Sequence, residues 1–152
     1  MVTFAICALL LSGQGISPKA NLQETPEQKK QAEEATRCLY AVKDIATALI
    51  AYSEKHDGWI KLTKKNWREK ITPFMKDRKF PTSPQGIEFS INAWILGKCM
   101  YNLSESSRTI VIYESRKGEP TFDHRGRCAV AHADTSCSLA SPDRLKMMLW
   151  KS

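Results

Sequence analysis

One stretch constrains the fold more than any other. Residues 25–58 read TPEQKKQAEEATRCLYAVKDIATALIAYSEKHDG. Thr25, with Gln28 three positions on and Pro26 at the first helical position, is a capping box that predicts a helix start. Downstream, Cys38, Val42, Ile45, Leu49 and Tyr52 recur at alternating spacings of four and three, and Leu39, Ala46 and Ile50 widen the stripe. That period belongs to a helix burying one face. Gly58 is the predicted left-handed stop. Residues 27–37 are polar almost all round and are predicted to project from the body or to fray. A helix this long with a single apolar face needs another layer to cover it.

The remainder supplies that layer. Ile87, Phe89 and Ile91 alternate with polar neighbours, and residues 109–113 form a β-branched run. Residues 128–133 and 136–139 read as two short strands joined around Asp134-Thr135. Between helix and strands, Thr63 is a second N-cap candidate. Trp67, Ile71 and Phe74-Met75 then suggest a short helix that Pro73 bends or ends. Ser141-Pro142-Asp143 opens a terminal helix with Leu145, Met148 and Leu149 on its buried side. The predicted fold class is α+β: one long N-terminal helix packed on a small antiparallel β-sheet, with a short C-terminal helix.

The 152 residues suit one domain. Residues 2–11 are apolar but too short to span a bilayer, and they match the core of a secretory signal cut near Gly15. The expected organisation is a signal peptide at residues 1–15, a linker at 16–25 and a single globular domain at 26–152. The chain is therefore expected outside the cytoplasm, periplasmic or extracellular, with membrane association as an alternative and no transmembrane span.

The formal charge of +7 and pI near 9.2 favour acidic partners. The basic residues are dispersed, however, and no interleaved aromatic stripe accompanies them. A solvated basic surface is the simpler reading, and a binding module for DNA or an acidic polymer is the alternative. No phosphate-binding glycine loop, serine-hydrolase elbow or paired-carboxylate motif is present.

With residues 1–15 removed, Cys38, Cys99, Cys128 and Cys137 remain, and outside the cytosol they allow up to two disulfides in three connectivities. Their irregular spacing does not suit zinc. Asp123, His124, His132 and Asp134 are the one cluster with metal or acid–base character. They suggest a site for a divalent ion, with calcium considered, or a metal-dependent hydrolase around His124, His132 and Asp134. A Cys–His nucleophile would draw Cys128 or Cys137 to either histidine. The blander alternative gives His124 and Asp134 structural work, one fixing a loop and the other holding a turn.

The order of these parts resembles a family. Arg37-Cys38, residues 41–52 and His56-Asp57-Gly58-Trp59 are similar to the CxxNLKQIGLALxxYxxxxxGxxP stretch of bacterial pseudopilin and prepilin-like proteins. Residues 67–74, Phe80-Pro81, residues 89–92 and residues 108–115 follow in the expected order. His124 and Asp134 stand where that family carries its C-terminal H-x9-D-G motif. Ala41 replaces the family's asparagine, Thr135-Ser136 follows Asp134 in place of Gly-His, and residues 1–11 lack the methylation and membrane-helix signal. The likeness covers about residues 30–140. It implies a pilin-like globular head of the type II secretion or type IV pilin kind, without enzymatic activity or cofactor, that meets protein partners in an envelope assembly. In that reading Cys38, Gly58, His124 and Asp134 are motif positions, and residues 27–37 with the sheet edges are contact surfaces.

Overall fold

The computed structural model describes residues 25–83 and 86–148. The expected signal peptide, nearly all of the linker, and Leu149 and Trp150 lie outside the described residues.

Helix α1 runs Pro26–Glu54, a single element of 29 residues. Its start is closed in both directions: Gln28 N–H donates to Thr25 Oγ1 at 3.3 Å, and Thr25 N–H donates to Gln28 Oε1 at 3.0 Å. The polar first third is regular helix, exposed but unfrayed, with Ala35 the first residue to be buried. Cys38, Val42, Ile45, Ala46, Leu49 and Tyr52 then line the inner face. Each large aliphatic among them contributes about 1.5–3 kcal/mol by leaving water.

The helix ends earlier than the glycine implies. Lys55 caps it in right-handed geometry, and Asp57 and Gly58 turn the chain with φ of 55° and 80°. Gly58 N–H reaches back to the Ser53 carbonyl at 2.8 Å. The glycine thus closes the exit loop four residues past the helix. Helix α2, Trp67–Ile71, follows a turn in which Thr63 and Asn66 exchange side-chain hydrogen bonds, and Pro73 opens a short 3-10 turn beyond it.

Five strands form one antiparallel sheet in the order β1-β2-β4-β5: β1 Glu88–Ile91, β2 Ile110–Arg116, β4 Cys128–His132 and β5 Cys137–Ala140. Strand β3, Glu119–Pro120, pairs with the end of β2. Residues 93–95 and 100–102 are 3-10 turns, so the stretch after β1 crosses as irregular backbone, with one bridge joining Trp59 to Cys99. Helix α3, Pro142–Lys146, is capped by Ser141. The architecture is α+β, with the long helix laid across the sheet.

The sheet separates two cores. On the α1 side Phe89, Ile91, Val111, Ile112, Ala129 and Ala131 meet the helix. On the other side Ile110, Tyr113, Cys128, Val130 and Ala140 meet Leu145 of α3. A register shift between Ile110 and Ile112 lets Val111 and Ile112 both join the α1 side. The alanines of β4 are small because α1 lies directly over them, and the helix backbone can approach closely.

Gly58 gives a direct test of the exit loop. A Cβ there would sit 2.5 Å from the Tyr101 ring, whereas one at Gly126, also at positive φ, would meet nothing. Gly126→Ala is expected to cost about 1–3 kcal/mol from backbone strain alone. Gly58→Ala should cost more, and adding Tyr101→Ser should recover the excess. Urea unfolding of the three variants measures it; equal costs at the two glycines would mean that the Tyr101 contact contributes nothing.

Candidate functional site

Strand β2 carries a carboxylate where its pattern calls for an aliphatic. Ile112 and Glu114 point to the α1 side and Tyr113 to the other, as strand alternation requires. Glu114 therefore enters the core with none of its surface exposed. Its Oε1 lies 2.9 Å from His124 Nε2, and its Oε2 accepts the Ala129 N–H at 2.9 Å. Cys38, on the inner face of α1, completes the group. The Sγ, a Glu114 oxygen and a His124 nitrogen all lie within 4.8 Å of one another.

Local chemistry fixes each member. His124 opens a two-residue turn in which Arg125 and Gly126 both take positive φ, 53° and 74°. His124 and Arg127 exchange backbone hydrogen bonds at 3.1 Å across it. This turn matches the twist of adjacent strands and aims the imidazole inward, toward β2. Arg125 lies over the start of α1, with its guanidinium 3.4 Å from both Gln31 Oε1 and the Gln28 carbonyl. The polar beginning of α1 is thereby tied to the loop that carries His124.

The electrostatics follow from burial. An ionised carboxylate out of water costs several kcal/mol unless it is paired and hydrogen-bonded. Here the Ala129 N–H and the imidazole supply both conditions. The hydrogen bond to Glu114 raises the His124 pKa above the ordinary histidine value, although burial opposes it. Burial, with Glu114 adding to it, pushes the Cys38 thiol up to about 12. The thiol therefore stays protonated beside the carboxylate and is a poor nucleophile.

The residues singled out in the sequence do not converge. Asp123 pairs with Arg116 at 2.8 Å on the surface. His132 belongs to the face of β4 shared with Cys128 and Val130, away from His124. Its Nε2 lies 3.3 Å from Ser138 Oγ. Its Nδ1 is buried and has no hydrogen-bond partner among the described residues. Burial lowers the His132 pKa, which favours the neutral ring. Asp134 is exposed and accepts from Ser136 N–H at 3.0 Å and Ser136 Oγ–H at 2.6 Å. Those bonds hold the β4–β5 turn and lower the Asp134 pKa. Thr135, at φ 67°, completes the turn in place of the missing glycine. The set of Asp123, His124, His132 and Asp134, weighed for calcium or for hydrolysis, is thus dispersed: the turn before β4 aims His124 at Glu114 on the α1 side, whereas β4 carries His132 on the opposite face with Cys128 and Val130.

The cysteines stand as thiols rather than bridges. Cys38, Cys99, Cys128 and Cys137 are all free. Cys128 donates to the Glu114 carbonyl at 3.4 Å on the α3 side, and burial pushes its thiol up to about 12. This gives no support to a Cys128 nucleophile.

Glu114 is the residue that sequence reading missed. The signal was available: it falls two positions after Ile112 in a run of buried β-branched residues, in phase with the inward face. The chain matches no protein-family model, no curated protein and no solved structure.

Removing the carboxylate tests the pair. Glu114→Ala leaves His124 and the Ala129 N–H buried without their acceptor and is expected to cost about 3–5 kcal/mol. Glu114→Gln keeps an oxygen for Ala129 and offers an amide to the imidazole, so its cost should be clearly smaller. Equal losses in a denaturant series would point to packing volume rather than hydrogen bonding.

Proposed function

We propose that this chain is an exported, non-enzymatic, pseudopilin-like head that acts by binding protein partners in an envelope or secretion-type assembly. The observation that carries this reading is the outward face of α1. Its first four turns stay helical while offering solvent a stripe of Lys29, Ala32, Glu33, Thr36 and Tyr40. Tyr40 is 65% exposed, and large aromatics are enriched where proteins meet. The helix is rigid there because its inner face is anchored on the sheet and Arg125 fastens its start. A preordered surface of this kind binds without the entropic cost of folding on contact.

The sequence resemblance supports the same assignment, since the order of segments from Arg37-Cys38 onward and the His124–Asp134 spacing are similar to those of such heads. Among the described residues no helix is long and apolar enough to cross a membrane. The dispersed charge leaves binding of DNA or an acidic polymer as the competing reading. Steep loss of polyanion affinity with added salt is its signature.

Photo-crosslinking in the native host separates the two. A crosslinker at Tyr40 should give a discrete protein adduct that one at Lys117, on the β2–β3 turn, does not. Tyr40→Ala should abolish adducts formed from Glu33 while changing stability by about 0.5 kcal/mol or less. Equal labelling at both positions, or nucleic acid as the crosslinked species, would refute the proposed contact face.

A further inference from the structure

We propose that Cys38, Glu114 and His124 form a site for a zinc-type divalent cation, bound by the Cys38 sulfur, one Glu114 oxygen and a His124 imidazole nitrogen. The inference stands on the geometry of the buried cluster and is independent of the partner that α1 meets.

The donor set is the first argument. Thiolate, imidazole and carboxylate together are the ligands of zinc, whereas calcium and magnesium take oxygen alone. These donors come from three separate segments: α1, β2 and the turn before β4. No two of them are neighbours in sequence, so only the fold assembles them. All three residues are over nine-tenths buried, at 1%, 0% and 7% exposed. Among the described residues this is the one group of three such side chains whose donor atoms converge.

Distances are the second. Metal–ligand lengths of about 2.0–2.3 Å in a tetrahedron place donor atoms roughly 3.3–3.8 Å apart. The present spacings lie close to that range: Glu114 Oε1 and His124 Nε2 are 2.9 Å apart, and no two of the donor atoms are more than 4.8 Å apart. A small side-chain rotation opens the short contact. Ser83 Oγ, 3.7 Å from Cys38 Sγ, marks the side from which a fourth, oxygen ligand would complete the set.

Charge is the third. A divalent cation with one thiolate and one carboxylate is neutral overall, which suits a site out of water. On binding, the Cys38 thiol proton and the His124 Nε2 proton that bonds Glu114 both leave to solvent, the ring carrying its remaining proton on Nδ1, and the Ala129 N–H can keep its hold on the other carboxylate oxygen. A Glu114–His124 pair alone satisfies the core without any thiol. The inward Cys38 is what turns the pair into a ligand set.

Access exists on both sides. A cleft of about 250 Å³ bounded by Ala35, Leu39, Arg127 and Leu139 opens at His124. A second, bounded by Arg37, Ala41, Thr82 and Ser83, opens at Cys38. A cation held between them would clip the middle of α1 to the centre of the sheet.

The test uses the full chain, stripped with chelator and titrated with Zn²⁺ alone and then with Co²⁺ alone. One equivalent should bind, and the cobalt form should show a thiolate-to-metal charge-transfer band. Cys38→Ala, a small residue suited to a helix, should remove that band and weaken zinc binding by about 100-fold or more, since even outer-shell losses cost 10–100-fold. Cys99→Ala should leave both unchanged. Zinc-edge absorption on the unmutated chain gives an answer that needs no variant: one sulfur among nitrogen and oxygen neighbours is expected. Absence of stoichiometric binding, a shell without sulfur, or a charge-transfer band that survives Cys38→Ala would each overturn the proposal.

Discussion

A buried carboxylate governs how the parts of this protein fit together. Glu114 has no exposed surface, and its two oxygens are satisfied by the Ala129 N–H and by His124. The first bond fixes β4 against β2 at a point just beyond their paired residues. The second requires the turn before β4 to fold inward rather than lie open to solvent. That turn in turn positions Arg125 over the start of α1. The polar end of the helix is therefore held in place by a group at the centre of the sheet.

The same geometry divides the molecule chemically. On the α1 face a hydrophobic cluster that includes Cys38 lies against the Glu114–His124 pair. The α3 face carries His132, whose pKa is lowered by burial. Two histidines eight residues apart thus live in opposite regimes: a neighbouring carboxylate favours the proton on His124, and burial disfavours it on His132. Sequence proximity suggests joint action. The sheet between them makes them independent.

Much of the fold was legible in the chain because local signals and tertiary demands agreed. Thr25 and Gln28 cap the helix as their spacing implies, and the stripe from Cys38 to Tyr52 is the face that packs. The β-branched run around Val111 is the central strand, and Ser141 caps the last helix. Signals failed where a residue served tertiary rather than local ends. Gly58 reads as a helix stop but closes a loop against Tyr101 and Cys99. Trp94 and its neighbours extend the apolar run beyond β1 but coil into a 3-10 turn, where Lys98 lies 3.1 Å over the indole. The site itself was half visible. His124 and Cys38 stood out by residue type, but their common partner lay ten residues upstream of the histidine in a strand that looked purely structural. Only the pairing of β2 with α1 overhead shows that the three meet.

The central claim is that Glu114 locks β4 and its preceding turn to the sheet, and amide hydrogen exchange at Ala129 reads this most directly. Its N–H donates to Glu114 Oε2 rather than to a strand neighbour. If the carboxylate holds as described, this amide should exchange only through global unfolding, with a protection free energy equal to that of the slowest amides of β2. Exchange of Ala129 through local opening, well ahead of the β2 amides, would contradict the account.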